Sequence, residues 1–336
     1  MEITAVDPHD EEQVRAWHAV YERSQTDGRE YSSPWRLAEV AVELRNPGRR
    51  RRLLGFAGLV DGDVVASGAL SLPQLDNRNT GVVMVDVDPP ARRQGYGAAM
   101  LAHLEALAAA DGRTLLNTDT FYPYDAPANG SGHPNADFAT RHGYVFGLGD
   151  VHRRLAMPAD GTLLERLAAE ASPHHAAYRI LGWRGRIPEE HLAEFARINA
   201  SLMTEAPSGE VEREAESPDA DAMRDDDALR AEQGRTPYVT VAYAGTGEMV
   251  AYTTIMLSRH EPGRCFQWGT VVDPRHRGHR LGIAVKVANL RQVQDHEPDL
   301  REQFTYNAEV NAHMVAINEA LGFVPVERLG EFQKRL

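Results

Sequence analysis

Two short segments hold the residues best suited to chemistry. Val87-Asp88-Pro89-Pro90-Ala91-Arg92-Arg93-Gln94-Gly95-Tyr96-Gly97 and Val272-Asp273-Pro274-Arg275-His276-Arg277-Gly278-His279-Arg280-Leu281-Gly282 align without a gap, 185 residues apart. Glycine in a turn lets backbone amides approach an anion closely, arginine adds charge-assisted donors, and a helix starting there adds the positive end of its dipole. The combination suits a pyrophosphate. A single glycine turn is also what any tight strand-to-helix connection needs, but two in register, each opening with Val-Asp-Pro, are harder to dismiss.

The flanking elements can present such a turn. The run 81–87 is apolar on both faces, as a central strand should be, and 96–110 has the apolar spacing of a helix that ends at Asp111-Gly112. Before them, a strand at 3–6 and helices at 10–24 and 34–44 lead to runs 53–60 and 64–72, joined by Asp61-Gly62-Asp63 as a hairpin. After them come a strand at 115–121, a short helix at 135–142 and closing strands at 145–156. The order then repeats at low identity: strand 178–183, helix 189–203, hairpin strands 238–243 and 249–257, central strand 266–272, helix 280–294, strand 303–310, helix 312–320 and closing strands 323–333. This predicts domains at 1–157 and 177–336 with a linker at 158–176, and reads the acidic stretch 210–227 as a solvated loop and helix face.

Composition narrows the partners. Of 336 residues, 49 are Asp or Glu against 36 Lys or Arg, and the formal charge of −13 disfavours general attraction to nucleic acid or to an anionic membrane. No apolar run is long enough to span a bilayer and the chain starts without a secretory pattern, so a cytoplasmic protein is expected. The one cysteine, Cys265, reads as a buried strand residue. None of the 14 histidines shows paired ligand spacing, so no metal is expected.

With these residues in view, the chain resembles the GNAT superfamily of acetyl-CoA-dependent N-acetyltransferases, whose signature turn is Arg/Gln-x-x-Gly-x-Gly/Ala. Arg92, Gly95 and Gly97 match it; Arg277 and Gly282 match it, with Arg280 in the place of the middle glycine. The resemblance implies that turn amides hold the CoA pyrophosphate and that the preceding strand end pairs with the pantetheine arm. Those roles fall on Val85, Asp86 and Val87 with Arg92, Arg93, Gln94, Gly95, Tyr96 and Gly97, and on Thr270, Val271 and Val272 with Arg277, Gly278, His279, Arg280, Leu281 and Gly282. The second site tolerates Arg280 if that residue keeps φ negative. A further family pattern is approximated by Asn311, Met314, Asn318, Gly322 and Phe323, which puts Asn311 at the acyl site and Asn318 where many relatives have a tyrosine acid. The first half has Gly132 and Ala139 at those positions.

A base follows from strand alternation. If the strand runs on to Asn311, then Asn307, Glu309 and Asn311 share a face, and Glu309 points where Asn311 points. Its first-half counterpart is Asp119, one methylene shorter and without an asparagine face. The expected protein is therefore α/β, with two GNAT-like domains, each a mixed and mostly antiparallel sheet flanked by helices. It transfers acetyl from acetyl-CoA, as cosubstrate, to the primary amine of a small molecule by direct attack, as a monomer or homodimer. Glu309 and Asn318 are the catalytic choices, with the second half as the working centre. A CoA-binding regulatory protein without catalysis is the alternative.

Overall fold

The structure is a computed structural model and describes all 336 residues. Contacts divide the chain into two compact units: Met1–Gly149 with Gly209–Glu212 and Leu329–Leu336, and Asp150–Ser208 with Arg213–Arg328. No helix is long and apolar enough to cross a membrane.

In the first unit, β1 (Glu2–Ala5) is followed by α1 (Glu11–Thr26) and α2 (Leu37–Arg45). Helix α1 starts at Asp10, whose side chain accepts from Glu12 N and Gln13 N, and it buries Val14, Trp17 and Val20. Strands β2 (Arg51–Val60) and β3 (Asp63–Pro73) turn through Asp61 at φ 52° and Gly62 at φ 92°, the two positive angles a two-residue hairpin demands. Then come β4 (Thr80–Val87), α3 (Tyr96–Ala110), β5 (Leu115–Pro123), α4 (Pro134–Arg141) and the start of β6 (Val145–Ala156). One sheet face packs Leu70, Leu72, Val83 and Leu116 against Met100 and Leu104 of α3, and the other carries Val14, Trp17 and Val40 of α1 and α2.

The second unit continues with α5 (Gly161–Ala171), β7 (Arg179–Arg184), α6 (Glu189–Ala200), α7 (Leu202–Glu205), α8 (Ala220–Glu232), β8 (Arg235–Tyr243) and β9 (Met249–Ser258). It closes with β10 (Arg264–Val272), α9 (Leu281–His296), β11 (Glu302–Ala308), α10 (Ala312–Ala320) and β12 (Val324–Arg335). Helix α5, in the stretch expected to link domains, buries Leu164, Leu167 and Ala171 within this unit. Cys265 is buried, and burial pushes its thiol well above the ordinary range.

Two long strands are shared out between the units, which the repeat pattern did not suggest. Strand β6 belongs to the first unit up to Gly149 and then pairs with β11, from Asp150 opposite Ala308 to Ala156 opposite Glu302. Strand β12 joins the first unit from Leu329 onward and lies between β5 and β6 in the strand order. The acidic stretch also departs from a solvated loop. Gly209–Glu212 docks on the first unit, with Glu210 N donating to Gly147 O at 2.9 Å, Val211 buried and Glu212 ion-paired to Arg335.

Candidate active site

Both glycine-arginine turns sit where a strand end meets a helix start. Strand β4 pairs in parallel with β5 only at Thr80–Leu115, Gly81–Leu116 and Val82–Asn117, and beyond that the two strands part. Asp88 N donates to Val65 O at 3.0 Å, so alternation sends the N–H groups of Val85 and Val87 the other way, into the opening. The second unit repeats this. Its β10 and β11 pair only at Arg264–Glu302, Cys265–Gln303 and Phe266–Phe304, and Asp273 N donates to Val250 O at 2.9 Å, leaving Thr270 and Val272 to face the gap. Each opening thus has unpaired strand amides on one wall. The first-turn amides of α3 and α9, which no helix can satisfy internally, lie at its mouth.

The turns themselves require two left-handed residues each. In the first these are Arg93 at φ 64° and Gly95 at φ 87°; in the second, Gly278 at φ 84° and Arg280 at φ 53°. The expectation of negative φ at Arg280 is therefore wrong: a non-glycine residue occupies the left-handed position that starts α9, and each turn tolerates one arginine so placed. A Cβ at Gly95 or Gly278 would meet nothing within 4 Å, whereas at Gly97 it meets Phe138 and Val87 at 3.5 Å and at Gly282 it meets Ile317 at 3.1 Å. The third signature position thus serves helix packing, and the open space lies in front of the earlier ones.

The arginines are held by carboxylates. Arg92 pairs with Asp27 at 2.7 Å and its Nε donates to Val87 O at 3.2 Å, tying the turn to the strand end. In the second unit, Arg277 pairs with Glu205 at 2.5 Å and Arg280 with Glu170 at 3.6 Å. Two of the cations expected near a phosphate there already have carboxylate partners, and His279 Nδ1 donates to the His174 carbonyl at 3.2 Å.

The opposite side of the sheet separates the units. In the first, Asp86, Asn117, Asp119 and Phe121 share the face toward α1. Asp86 is buried and accepts from Gln25 Nε2 at 2.9 Å; desolvation pushes its carboxyl up to about 6, against hydrogen bonds from Gln25 and Ser24. Asp119 reaches solvent, yet surrounding protein strips enough water from it that desolvation, reinforced by the Glu331 charge, also pushes it up to about 6. Tyr21 joins them, its hydroxyl accepting from Trp35 N at 3.1 Å and its ionisation pushed well up by burial. In the second unit the counterpart of Asp86 is Val271, buried among Tyr252, Phe195 and Leu202, and a Cβ on Gly269 would collide with Tyr252 Oη. That face is filled with apolar packing.

The residues chosen for catalysis from the sequence do not converge. Strand β11 ends at Ala308, so Glu309 lies in a turn rather than on a strand face, and Arg328 Nη1 donates to it at 2.7 Å. Asn311 caps α10, its side chain accepting from Met314 N at 3.2 Å. Asn318 is fully buried and donates to Asn307. Nearby Lys286 of α9 is also fully buried, with no hydrogen-bond partner for its Nζ, and burial alone pulls its amine down to about 7. No local signal in the sequence marks Asp119 above Glu309; its shift arises from protein packed around it.

Comparison with known proteins agrees with this geometry. Residues 15–130, all in the first unit, match the model of the acetyltransferase (GNAT) family. Over 99% of this chain and 98% of the other, the fold is similar to a tandem GNAT protein from the clavulanic acid biosynthesis pathway, at 27% identity and TM-score 0.79. The family match lies on the first unit, and the chain as a whole is similar to a tandem GNAT protein. It shares its fold with a GCN5-related N-acetyltransferase from Sphaerobacter thermophilus (14% identity, 99% and 95% coverage, TM-score 0.62). The same holds for a GNAT-family acetyltransferase from Colwellia psychrerythraea (9% identity, 100% of both chains, TM-score 0.56). No curated protein matches the sequence. GNAT proteins use acetyl-CoA, and the residues of the first opening suit it: strand amides beside a thioester, turn amides and a helix start for the pyrophosphate.

Proposed function

We propose that the first unit acetylates a primary amine of a small molecule, using acetyl-CoA held by Val85, Val87 and the turn Arg92–Gly97, with Asp119 as the base. The observation that supports this reading is the accessible carboxylate of Asp119, pushed up to about 6, on β5 where it parts from β4. The neutral amine attacks the acetyl carbonyl, the new C–N bond forms as C–S breaks, and the amine proton passes to Asp119. Amides of the β4 end face the developing oxyanion. The thiolate leaves and takes a proton from water, an unfavourable ionisation of only about 2 kcal/mol for a thiol of ordinary pKa at neutral pH.

This moves the working centre from the second half, favoured on sequence, to the first. The second unit then serves as a degenerate copy whose acceptor face is packed shut. A CoA-binding regulatory role, the second reading, is favoured by the absence of a tyrosine at the positions of Ala139 and Asn318.

A matched pair of variants tests the assignment. Aspartate tolerates left-handed backbone, so Gly95→Asp keeps the turn while setting a negative charge before the phosphate site. Thiol release from acetyl-CoA with a panel of amines should be lost in Gly95→Asp and kept within about threefold in Arg280→Asp. The reverse pattern places the reaction in the second unit. Acetyl-CoA binding without thiol release for any amine, in the unaltered protein, overturns catalysis and favours the regulator.

A further inference from the structure

The second unit holds a cavity at the end of its sheet away from the acyl opening. Its volume is about 350 Å³, and it is lined by Gly185 and Arg186 after β7, Gly234 and Thr236 around the start of β8, and Arg259 after β9. Ala251, early in β9, pairs with Val272 at the opening, and Ser258 ends the strand seven residues on, about 23 Å away at roughly 3.3 Å per residue. A cavity of this volume is within the range of small-ligand sites.

The backbone brings guanidinium groups to this cavity. Gly234 sits at φ 72°, and a Cβ there would collide with Arg259 Nε and lie 2.7 Å from its Cδ, so the Arg259 stem runs through the space that the missing side chain leaves. Arg259 N donates to Gly234 O at 3.1 Å and Arg259 Nε donates to His260 Nε2 at 3.2 Å. Both of its Nη groups are left for another acceptor. Gly185, at φ 82°, donates its N–H to Pro237 O at 2.8 Å, and Arg186 follows on the cavity rim. Arg186 and Arg259 are exposed, and neither is ion-paired to a carboxylate. In a chain of formal charge −13 arginines find carboxylates readily, as Arg92, Arg197, Arg275 and Arg277 do.

The carboxylate in the lining is already engaged. Asp227 accepts from Ile187 N at 2.7 Å and from Arg230 Nη1 at 3.4 Å. Arg235 also reaches the lining, 5.5 Å from the Trp268 ring, but the two guanidinium groups without carboxylates suffice. Such groups around a cavity form charge-assisted hydrogen bonds with an oxyanion. A monocarboxylate would neutralise one of them and leave the other. A phosphate monoester carries a charge of about −1.5 to −2 near neutral pH and three acceptor oxygens, so it meets both, with the Thr236 hydroxyl as a further donor.

We infer that this cavity binds a phosphate dianion, as the free ion or as the monoester of a small molecule, through Arg186 and Arg259. The site is separate from the opening that suits CoA, and it gives the second unit a ligand whether or not that unit takes part in acetyl transfer.

The test is calorimetric titration of the full chain with glycerol 3-phosphate and with inorganic phosphate, at about pH 8 and constant ionic strength. Saturable binding of at least one probe is expected, and the tighter of the two tells whether an ester or the free ion fills the site. Arg259→Gln and Arg186→Gln should each weaken it at least about tenfold, the loss expected for a charge-assisted contact. Both variants should melt like the parent without ligand, because neither arginine has a carboxylate to abandon. Arg15→Gln, which removes an exposed charge from α1, should leave binding within about twofold. Phosphate held instead by a glycine-arginine turn would be lost in Gly95→Asp or Arg280→Asp and kept in Arg259→Gln and Arg186→Gln. That pattern overturns the inference, as do equal weakening by Arg15→Gln, succinate binding as tightly as phosphate, or no saturable binding of either probe.

Discussion

The two units present the same opening and line it differently. Strand β4 leaves β5 after three paired residues and β10 leaves β11 after three, and in each a helix begins at a residue in the left-handed region. Behind the first opening stand Asp86, Asp119 and Glu331. Behind the second, the corresponding strand position is Val271 in an apolar cluster with Tyr252 and Phe195, and Glu309 is bound to Arg328 outside the strand. A backbone scaffold for an acyl carrier therefore survives duplication more readily than the side chains that use it. The scaffold needs only strand order and a turn, which many sequences satisfy, whereas acid–base chemistry needs particular groups at particular distances.

The comparison breaks most sharply at the two candidate bases. Asp119→Asn should lower kcat about 10² to 10³ fold, in the usual range for loss of a general base, while Glu309→Gln stays near the parent. In the parent, the rate should fall as pH drops through about 6, where Asp119 takes up a proton, and Asp119→Asn should lose that limb. Equal losses in both variants across the pH range would return the two units to equal standing.

Stability tests sharpen the same contrast. Buried Lys286 of the second unit is pulled down to about 7 in the folded protein, below its value in the unfolded chain. The unfolded state binds the extra proton between these values, so stability rises with pH across that window. Lys286→Met should accordingly stabilise the protein by on the order of 3 kcal/mol at neutral pH, the gain shrinking as pH approaches about 10. A gain independent of pH in denaturant melts would assign the effect to packing instead.

Buried Asp86 in the first unit titrates in the opposite sense. Its folded value of about 6 lies above that of the unfolded chain, so the carboxylate costs stability once pH exceeds both. Asp86→Asn should add about 2 kcal/mol at slightly alkaline pH, fading below about pH 4. Loss of stability at every pH would mean that the bonds from Gln25 and Ser24 outweigh desolvation. The smallest effect concerns the turns: Arg93→Gly and Arg280→Gly each remove a non-glycine residue from the left-handed region and should each add about 1 kcal/mol in thermal melts. A gain in only one would show that the turns are not equivalent.

The sequence by itself determined the duplication, the hairpins, the two central strand-to-helix turns and the buried cysteine. Each of those signals is local: Asp61-Gly62 supplies its own positive angles, and the Val-Asp-Pro openings carry their register with them. Even there, single backbone angles depended on surroundings, since Arg280 takes the left-handed conformation that its residue type disfavours. The candidate base, the carboxylate whose charge it feels and the ownership of the last strand are legible only in three dimensions. Glu309 left its strand because β11 stops at Ala308, three residues short of Asn311, to which the alternation had to run. Asp119 feels the charge of Glu331 across a long separation in sequence, and the shift in its carboxyl comes from desolvation and that distant charge. Neighbours in sequence encode turns and periodicity, whereas electrostatic environment is a property of neighbours in space.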